Sequence, residues 1–231
     1  MKEAIYKRKS IRKFHMEKLD EITLNNVKAQ FAKLKPLHQK MGFSIQIVSK
    51  IKGTGSIKAP HYLVFGSEET DGYLENIGFV GQQMDLWFSA NGLGACWLGL
   101  SKPGEKEASA LPYVICMAFG KPAEPLYRGH GDFKRKPLNE ISEGTDTRLE
   151  AARLAPSGIN SQNWHFIADE GKIHCYRKKL NPVKGLFLDK MSRIDLGIAI
   201  NHIAQESDNF TFAKDDNAPE RKGLIYTGTV I

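Results

Sequence analysis

Two arginines and a serine alternate near the N-terminus, in the segment Arg-Lys-Ser-Ile-Arg that begins at Arg8. In extended backbone alternate side chains point the same way, so Arg8, Ser10 and Arg12 would share a face while Ile11 and Phe14 pack inward. Guanidinium groups donate bidentate, charge-assisted hydrogen bonds to phosphate oxygens. The spacing therefore indicates an anion site, although short basic segments are also typical of exposed surface.

A second segment that could bind a ligand runs from Ala155 to Trp164 and reads Ala-Pro-Ser-Gly-Ile-Asn-Ser-Gln-Asn-Trp. Its proline would end a helix, and its small residues would let a flat ligand approach the backbone. Its serine and asparagine side chains could hydrogen-bond the edge of a heterocycle. The same residues would also suit a plain loop between a helix and a strand.

Two further segments accompany these. Gly-Leu-Gly-Ala-Cys-Trp-Leu-Gly occupies residues 92–99 and follows an apolar run, and Phe-Lys-Arg-Lys-Pro-Leu occupies residues 133–138. Trp97 in the first of them is predicted to form a pocket wall or to pack in the core. None of the four segments is specific alone, so the prediction depends on their conjunction.

Hydrophobic periodicity predicts the elements that must position these segments. Asp20 is the predicted N-cap of a helix over residues 20–35, which Pro36 would end. Further helices are predicted over residues 76–91, 147–154 and 193–205, the first of them buried and capped by a left-handed Gly92. Strands are predicted over residues 43–48, 61–65, 111–119, 164–168 and 172–177, with an edge strand at 224–226. Residues 52–56 and 121–139 are predicted loops, and residues 95–98 a tight segment after the buried helix.

The order helix, strand, strand, apolar helix occurs twice along the chain. Gly81 and Gly197 lie at similar places in the two apolar helices. We therefore interpret the chain as a single α+β domain over residues 1–231, with pseudo-repeats 1–144 and 145–231. A coincidental order of common elements is the alternative.

The composition bounds the class of protein. The 231 residues are 41% hydrophobic and 26% charged, which is typical of a folded globular domain. No run approaches the roughly 18 apolar residues of a membrane span, and the N-terminus lacks the apolar region of a secretion signal. We expect a cytoplasmic protein without a membrane partner. Cys96, Cys116 and Cys175 contain no Cys-x-x-Cys pair, so we expect buried free thiols and neither a disulfide framework nor a metal site.

The net charge of +7 indicates an affinity for anions, which are nucleic acid, an acidic membrane surface or phosphorylated small molecules. The basic residues form three short separated groups, at 7–13, 134–136 and 177–179, without interleaved aromatic residues. This distribution favours a small phosphorylated ligand over nucleic acid.

Taken together, the four segments resemble the FMN-dependent nitroreductase superfamily. Arg-x-Ser-x-Arg, Gly-Leu-Gly-x-x-Trp-x-Gly, Lys-Arg-Lys-Pro and Ala-Pro-Ser-x-x-Asn-x-Gln-Pro-Trp recur in that superfamily, and the matches here span residues 8–164. The resemblance implies a three-layer α/β/α fold with a largely antiparallel sheet. It also implies an FMN cofactor, NADH or NADPH as electron donor, and two-electron reduction of nitroaromatic, quinone or similar acceptors by an alternating, ping-pong mechanism.

The resemblance further implies which residues bind the phosphate end of the flavin. Arg8 and Ser10 would bind the phosphate, and Lys134 and Arg135 would close on its other side. Arg12 would lie at the pyrimidine edge, where a fixed cation stabilises the negative charge of the reduced ring.

At the ring itself, Pro156, Ser157 and Asn160 would line the isoalloxazine and the ribityl chain. The backbone N–H groups near Leu98 and Gly99 would face the flavin N5. Because the flavin carries the chemistry, the resemblance implies no catalytic side chain and no metal.

Two departures from the superfamily pattern stand out. Asn163 replaces the proline before the tryptophan, and the Ala-Pro-Ser segment follows the Lys-Arg-Lys-Pro segment instead of preceding it. This order resembles a branch in which the second half of one chain supplies what a partner subunit otherwise gives. A monomer that acts as a pseudo-dimer and a homodimer both stay open, as do the physiological acceptor and the choice of NADH or NADPH. The alternative function is a flavin-binding protein without turnover, serving as a flavin reservoir or sensor.

Overall fold

The computed structural model describes residues 1–53, 57–104 and 110–231, apart from the side chains of residues 182–184, 186 and 187. The helices are α1 (Lys2–Ile5), α2 (Glu21–Phe31), α3 (Tyr73–Ala90), α4 (Leu138–Ile141), α5 (Leu149–Arg153) and α6 (Pro182–Glu206). The strands are β1 (Phe43–Val48), β2 (Ile51–Gly53), β3 (His61–Ser67), β4 (Gly94–Leu98), β5 (Ser101–Pro103), β6 (Tyr113–Gly120), β7 (Ser142–Glu143), β8 (Trp164–Asp169), β9 (Lys172–Lys178), β10 (Phe212–Ala213) and β11 (Leu224–Val230).

The two long helices α3 and α6 pack against each other at the centre of the molecule. A side chain on Gly78 would overlap the carbonyl oxygen of Ile194, and one on Gly197 would overlap the carbonyl oxygen of Glu75. Each glycine thus lies against the carbonyl three residues before the other. The predicted match of Gly81 with Gly197 was wrong, because Gly81 faces the ring of Trp97 instead.

The strands are distributed over three sheets, where a single sheet was predicted. One sheet has the order β1-β3-β6-β4 and is antiparallel throughout. A second has the order β10-β11-β9-β8-β7, in which only the β7–β8 pair is parallel. The strands β2 and β5 form a third, antiparallel pair. The mixed class with antiparallel pairing is confirmed.

Most predicted helices and strands are present, with differences at their ends. α2 begins as predicted, with the Asp20 carboxylate accepting the Thr23 N–H at 2.8 Å, but it ends at Phe31 instead of Lys35. The reason is a tertiary contact: the Gln83 side chain on α3 bonds both the N–H and the carbonyl of Lys35, at 3.1 and 2.7 Å, and holds that residue out of the helix.

Four predictions in other regions were wrong in part. The tight segment at 95–98 is the strand β4, which pairs with β6. The C-terminal strand is not the outermost one, because β10 covers its free side. α6 begins at Pro182, eleven residues earlier than predicted, since proline is well tolerated in the first turn of a helix. Within the predicted loop 52–56, residues 52 and 53 lie in β2 and residues 54–56 lie outside the described residues.

Two further expectations, the cap after α3 and the state of the cysteines, are confirmed. Gly92 has a left-handed φ of 76° after α3, and Cys96, Cys116 and Cys175 are free and buried. None of the helices in the described ranges is long and apolar enough to cross a membrane.

Candidate functional site

The N-terminal basic segment is held in place along its backbone. Ile11 donates its N–H to the carbonyl of Ala95 in β4 at 2.9 Å, and its side chain occupies the space that a Cβ on Gly94 would need. On the other side, the N–H groups of Ala123 and Arg128 donate to the carbonyls of Lys13 and Lys7, both at 2.9 Å. The segment therefore lies between β4 and the long loop at 121–139.

Glu124 from that loop fixes the turn at Arg12. Its carboxylate accepts the N–H of Arg12 at 2.6 Å and the N–H of Lys13 at 3.1 Å, and it pairs with Lys9 at 3.3 Å. The hydrogen bond from the Arg12 N–H is the largest cause that lowers the pKa of Glu124. Because the backbone satisfies this carboxylate, the guanidinium of Arg12 is left to face the adjacent cavity.

Arg8 is buried, at 1% exposure, and makes two contacts through its guanidinium. Its Nε lies 2.8 Å from Oδ2 of Asp85 on α3, and its Nη2 donates to Oγ of Ser10 at 3.2 Å. Burial raises the pKa of Asp85 against the opposing effects of Arg8 and Gln82. Within the described residues, Nη1 of Arg8 has no hydrogen-bond partner.

Three more arginines lie close to Arg8 and form, with it, what we call the arginine cluster: Arg8, Arg12, Arg128 and Arg135. Burial is the largest cause that lowers the pKa of Arg135, to about 10, and the positive charges of Arg8 and Arg128 lower it further. Burial is also the largest cause that lowers the pKa of Arg128, and the positive charges of Arg8 and Arg12 add to it. The Nε of Arg128, like Nη1 of Arg8, finds no partner among the described residues. Mutually repelling cations with unsatisfied buried donors form a site suited to an anion.

Arg135 joins its own basic segment, residues 133–138, to the Ala-Pro-Ser loop, which we define as residues 155–162. Its Nε donates to the carbonyl of Ala155 at 3.0 Å, and its Nη1 donates to Oδ1 of Asn160 at 2.7 Å. Asn160 in turn donates from Nδ2 to the carbonyl of Lys134 at 2.9 Å. Segments that lie 20 residues or more apart in sequence are thus tied together side by side.

The Ala-Pro-Ser loop has an unusual backbone. Ile159, Asn160 and Gln162 have φ angles of 50°, 57° and 48°, in the left-handed region that non-glycine residues rarely adopt. The Oγ of Ser157 accepts the Gln162 N–H at 3.0 Å, and Oε1 of Gln162 accepts the N–H of Lys136 at 2.8 Å. Conformations of this kind persist only where surrounding contacts hold them, and they concentrate at functional sites.

Asp195 on α6 also holds the Ala-Pro-Ser loop in place, through hydrogen bonds. Both of its carboxylate oxygens lie 3.0 Å from the N–H of Gly158, and Oδ2 also accepts from Oγ of Ser161 at 3.4 Å. The side chain is buried, and burial raises its pKa to about 7. Asp195 also lines the cavity described next.

A cavity of about 650 Å³ lies between the N-terminal segment, the end of β4, the Ala-Pro-Ser loop and α6. Its walls are mostly apolar and include Trp97, Ile115, Met191 and Ile198, with Cys96 beside Ser10. Pockets for small molecules and cofactors have this size and this largely apolar lining with a few placed polar groups.

Trp97 connects the cavity wall to the arginine cluster through α3. Its Nε1 donates to Oε1 of Gln82 at 3.2 Å, and Nε2 of Gln82 donates to Oδ2 of Asp85 at 3.0 Å. Since Asp85 pairs with Arg8, one buried polar chain runs from the cluster to the indole.

The structure brings most of the predicted site residues together. Five line the cavity: Ser10, Arg12, Gly99, Pro156 and Ser157. Four others lie beside it at the arginine cluster and its ties to the loop: Arg8, Lys134, Arg135 and Asn160. The side chain of Leu98 does not line the cavity but packs in the core with Val64 and Cys116.

Sequence reasoning missed Arg128 and Asp195. Arg128 lies in a long loop, and only the rule that such loops are often functional pointed to it. Asp195 interrupts an otherwise apolar stretch of α6, which is the one signal that could have marked it. Asn163 stands where the superfamily has proline. Its Nδ2 donates to the carbonyl of Lys178 and to Oγ of Ser192, both at 3.0 Å. These bonds fix the turn by other means.

Comparisons with known proteins identify the family and the fold. The family described as "Putative TM nitroreductase" has a model that matches residues 1–207. The crystal structure of a "putative nitroreductase" from Thermotoga maritima MSB8 is 22% identical, with a TM-score of 0.71 over 100% of this chain and 92% of that one. This likeness shows that the fold is that of a nitroreductase.

More partial likenesses also occur. An "FMN-dependent Nitroreductase" from Clostridium difficile R20291 is 19% identical and covers 58% of this chain and 95% of its own, with a TM-score of 0.47. A "Putative NADH Oxidase" from Clostridium acetobutylicum is 14% identical and covers 60% of this chain and 96% of its own, with a TM-score of 0.46. No curated protein matches the chain by sequence.

Proposed function

The chain belongs to the nitroreductase family whose model it matches over residues 1–207, and from that premise we propose that it is an FMN-dependent NAD(P)H oxidoreductase. In this proposal NADH or NADPH and an uncharged acceptor such as a nitroaromatic or a quinone use one site in turn. For a quinone the overall reaction consumes NAD(P)H, one proton and the quinone, and yields NAD(P)⁺ and the hydroquinone. The observation that carries the proposal is the arginine cluster, with its unsatisfied donors, at one side of an apolar cavity.

The arginine cluster fits the phosphate of FMN. Nη1 of Arg8 and Nε of Arg128 are buried donors without partners among the residues described, and each such donor costs about 1–3 kcal/mol until it is satisfied. A bound dianion would satisfy them and would offset the repulsion from Arg8 and Arg128 that, after burial, lowers the pKa of Arg135. Ser10, already bonded to Arg8, would add a hydroxyl donor.

The cavity fits the flavin ring. Trp97, Pro156 and Met191 present apolar faces, and Ser157 and Asn163 add polar atoms for the edge of a heterocycle. Gly99 also lines the cavity, and its missing side chain makes room for Met191, which occupies the space that a Cβ would need.

Bound FMN would supply two-electron chemistry, accepting hydride from the nicotinamide and passing electrons to the acceptor. The protein would bind, orient and electrostatically stabilise. Arg12, fixed by Glu124 through its backbone, would place a permanent cation in a largely apolar cavity, where a preorganised charge of this kind is worth a few kcal/mol. Asp195 would hold the Ala-Pro-Ser loop against the ring through Gly158.

Turnover is favoured over flavin storage because the cavity opens to solvent. Leu100 and Ile159 both line it, and they are 80% and 85% exposed. A storage protein has no need of an open face beside the ring, whereas an oxidoreductase must admit two substrates in turn.

The test begins with the absorbance spectrum of freshly purified protein, followed by NADH and NADPH oxidation with and without menadione. We expect a flavin spectrum and a quinone-dependent rate. Arg128→Ala should lower the flavin content sharply, whereas Arg221→Ala, which removes an exposed arginine paired with Glu143, serves as the matched control. A colourless protein that binds no added FMN would refute the proposal, and flavin binding without acceptor-dependent turnover would support the reservoir instead.

A further inference from the structure

Two large aliphatic side chains stand exposed at the mouth of the cavity. Ile159 is 85% exposed and Leu100 is 80% exposed, and Ile22 on α2, at 76%, is the next most exposed large hydrophobic residue among those described. Single exposed apolar residues are ordinary, but two that line the same opening form a feature of the site.

Ile159 also has a strained backbone conformation. A β-branched residue at a φ of 50° and ψ of 21° is a genuine outlier, because its Cβ crowds the neighbouring carbonyl. Conformations of this class are strained and persist only where the surrounding contacts hold them. With so little of its side chain buried, Ile159 contributes little to the core that would offset this strain.

The contacts around Ile159 hold it in this conformation. On one side of Ile159, the Asp195 carboxylate accepts the N–H of Gly158. On the other side, Arg135 donates to the side chain of Asn160, and Oγ of Ser157 accepts the N–H of Gln162. The loop is therefore fixed on both sides of Ile159. Among the described residues of the loop, Ile159 is the one β-branched residue with a positive φ, and its side chain is exposed at the opening.

The neighbours of this rim are apolar as well. Leu180, Leu188 and Met191 line the same cavity, and among the side chains that the structure describes, the charged ones that line it are Arg12 and Asp195. Asp195 is buried beneath the loop, and Arg12 belongs to the arginine cluster. A ligand that enters between Leu100 and Ile159 thus meets hydrocarbon first.

We propose that Ile159 and Leu100 are specificity-determining residues that close on an uncharged, planar, hydrophobic electron acceptor as it lies over the cavity. The inference rests on the proposed function. Covering an apolar molecule would bury both side chains, and a fully buried aliphatic side chain contributes enough to tighten binding by about tenfold or more. A charged acceptor gains nothing from this rim.

The variants Ile159→Asn and Leu100→Gln test the rim without disturbing the fold. Asparagine is among the residues that best tolerate the left-handed region, so Ile159→Asn should leave the melting temperature unchanged or raise it. Ile22→Asn, at an exposed position on α2, is the matched control for surface polarity. Two readouts are needed: the KM for menadione and for ferricyanide in turnover, and the Kd of menadione for the oxidised holoprotein by equilibrium dialysis without a reductant.

We expect each rim variant to raise both the KM and the Kd for menadione by about five- to tenfold, with additive effects in the double variant. The rate with ferricyanide at saturating NADH and the flavin content should stay at the wild-type values, as should all values for Ile22→Asn. An unchanged Kd for menadione in both rim variants would overturn the inference while leaving the proposed function intact. A wild-type protein without flavin or turnover would overturn both.

Discussion

Asp195 in the middle of α6 accepts the backbone N–H of Gly158 with both carboxylate oxygens, each at 3.0 Å. The bond ties the central helix pair directly to the Ala-Pro-Ser loop. It is made by a buried carboxyl whose hydrogen bonds, among the described residues, come from Gly158 and Ser161 and from no side-chain cation.

The first prediction concerns the pH dependence of stability. Burial raises the pKa of Asp195 from 3.8 to about 7 in the folded protein. Between these values the folded state keeps a proton that the unfolded state releases, so this group's contribution to stability is complete below about pH 4 and is lost as the pH rises through 7. Asp195→Asn removes this dependence. In urea unfolding of apo-protein, the wild type should lose on the order of 2–4 kcal/mol relative to the variant between pH 4 and pH 8. A constant difference across that range would contradict the prediction.

The second prediction concerns the crossing of α3 and α6. A methyl group at Gly197 would overlap the carbonyl of Glu75, and one at Gly78 would overlap that of Ile194, so the helices would have to separate. Gly197→Ala and Gly78→Ala should each lower the free energy of unfolding by about 1–3 kcal/mol or prevent folding. The control is Gly131→Ala, because no atom of the described residues beyond its chain neighbours lies within 4 Å of its Cβ position. Equal stability of all three variants would show that the crossing is not as close as described.

The arginine cluster and the cavity lie side by side within a single chain. The third prediction is therefore one bound FMN per chain of 25.9 kDa, retained in light-scattering and dilution experiments at the mass of a monomer. Loss of flavin in parallel with dissociation of a dimer would show that a second subunit completes the site.

The fourth prediction uses a thiol as a probe of the cavity. Cys96 lines the cavity next to Ser10, while Cys116 and Cys175 do not line it. Burial raises the pKa of Cys96, so alkylation by a maleimide should be slow. Saturating FMN should slow it further, and Cys96→Ser should remove the FMN-sensitive label. Equal labelling with and without FMN would place the flavin elsewhere.

Several features of the fold were predictable because they depend on local periodicity. The apolar run of α3, the cap at Asp20 and the alternation in β1 each carry their own signal over a few residues. β4 was missed as a strand because it is nearly buried throughout and follows a helix with only a short glycine turn between. Apolar runs of that length do not distinguish a strand from a packed turn.

The site was predictable to the extent that it lies in recurring segments. Ser10, Arg12, Gly99, Pro156 and Ser157 were predicted from three of the four segments and do line one cavity. Arg128 and Asp195 have no such signal, because their importance arises from contacts with residues far away in sequence. The same is true of Gly78, whose close contact with Ile194 is visible only once α6 is in place.

The most direct test of the account is to compare the affinity of apo-protein for FMN and for riboflavin, which lacks the phosphate, by quenching of flavin fluorescence. If the arginine cluster binds the phosphate, FMN should bind at least about a hundredfold more tightly, since charge-assisted hydrogen bonds contribute about 1.5–3 kcal/mol each. In Arg128→Ala that preference should shrink by about tenfold or more, and in Arg221→Ala it should not change. Equal affinities for FMN and riboflavin in the wild type, or no binding of either, would contradict the account.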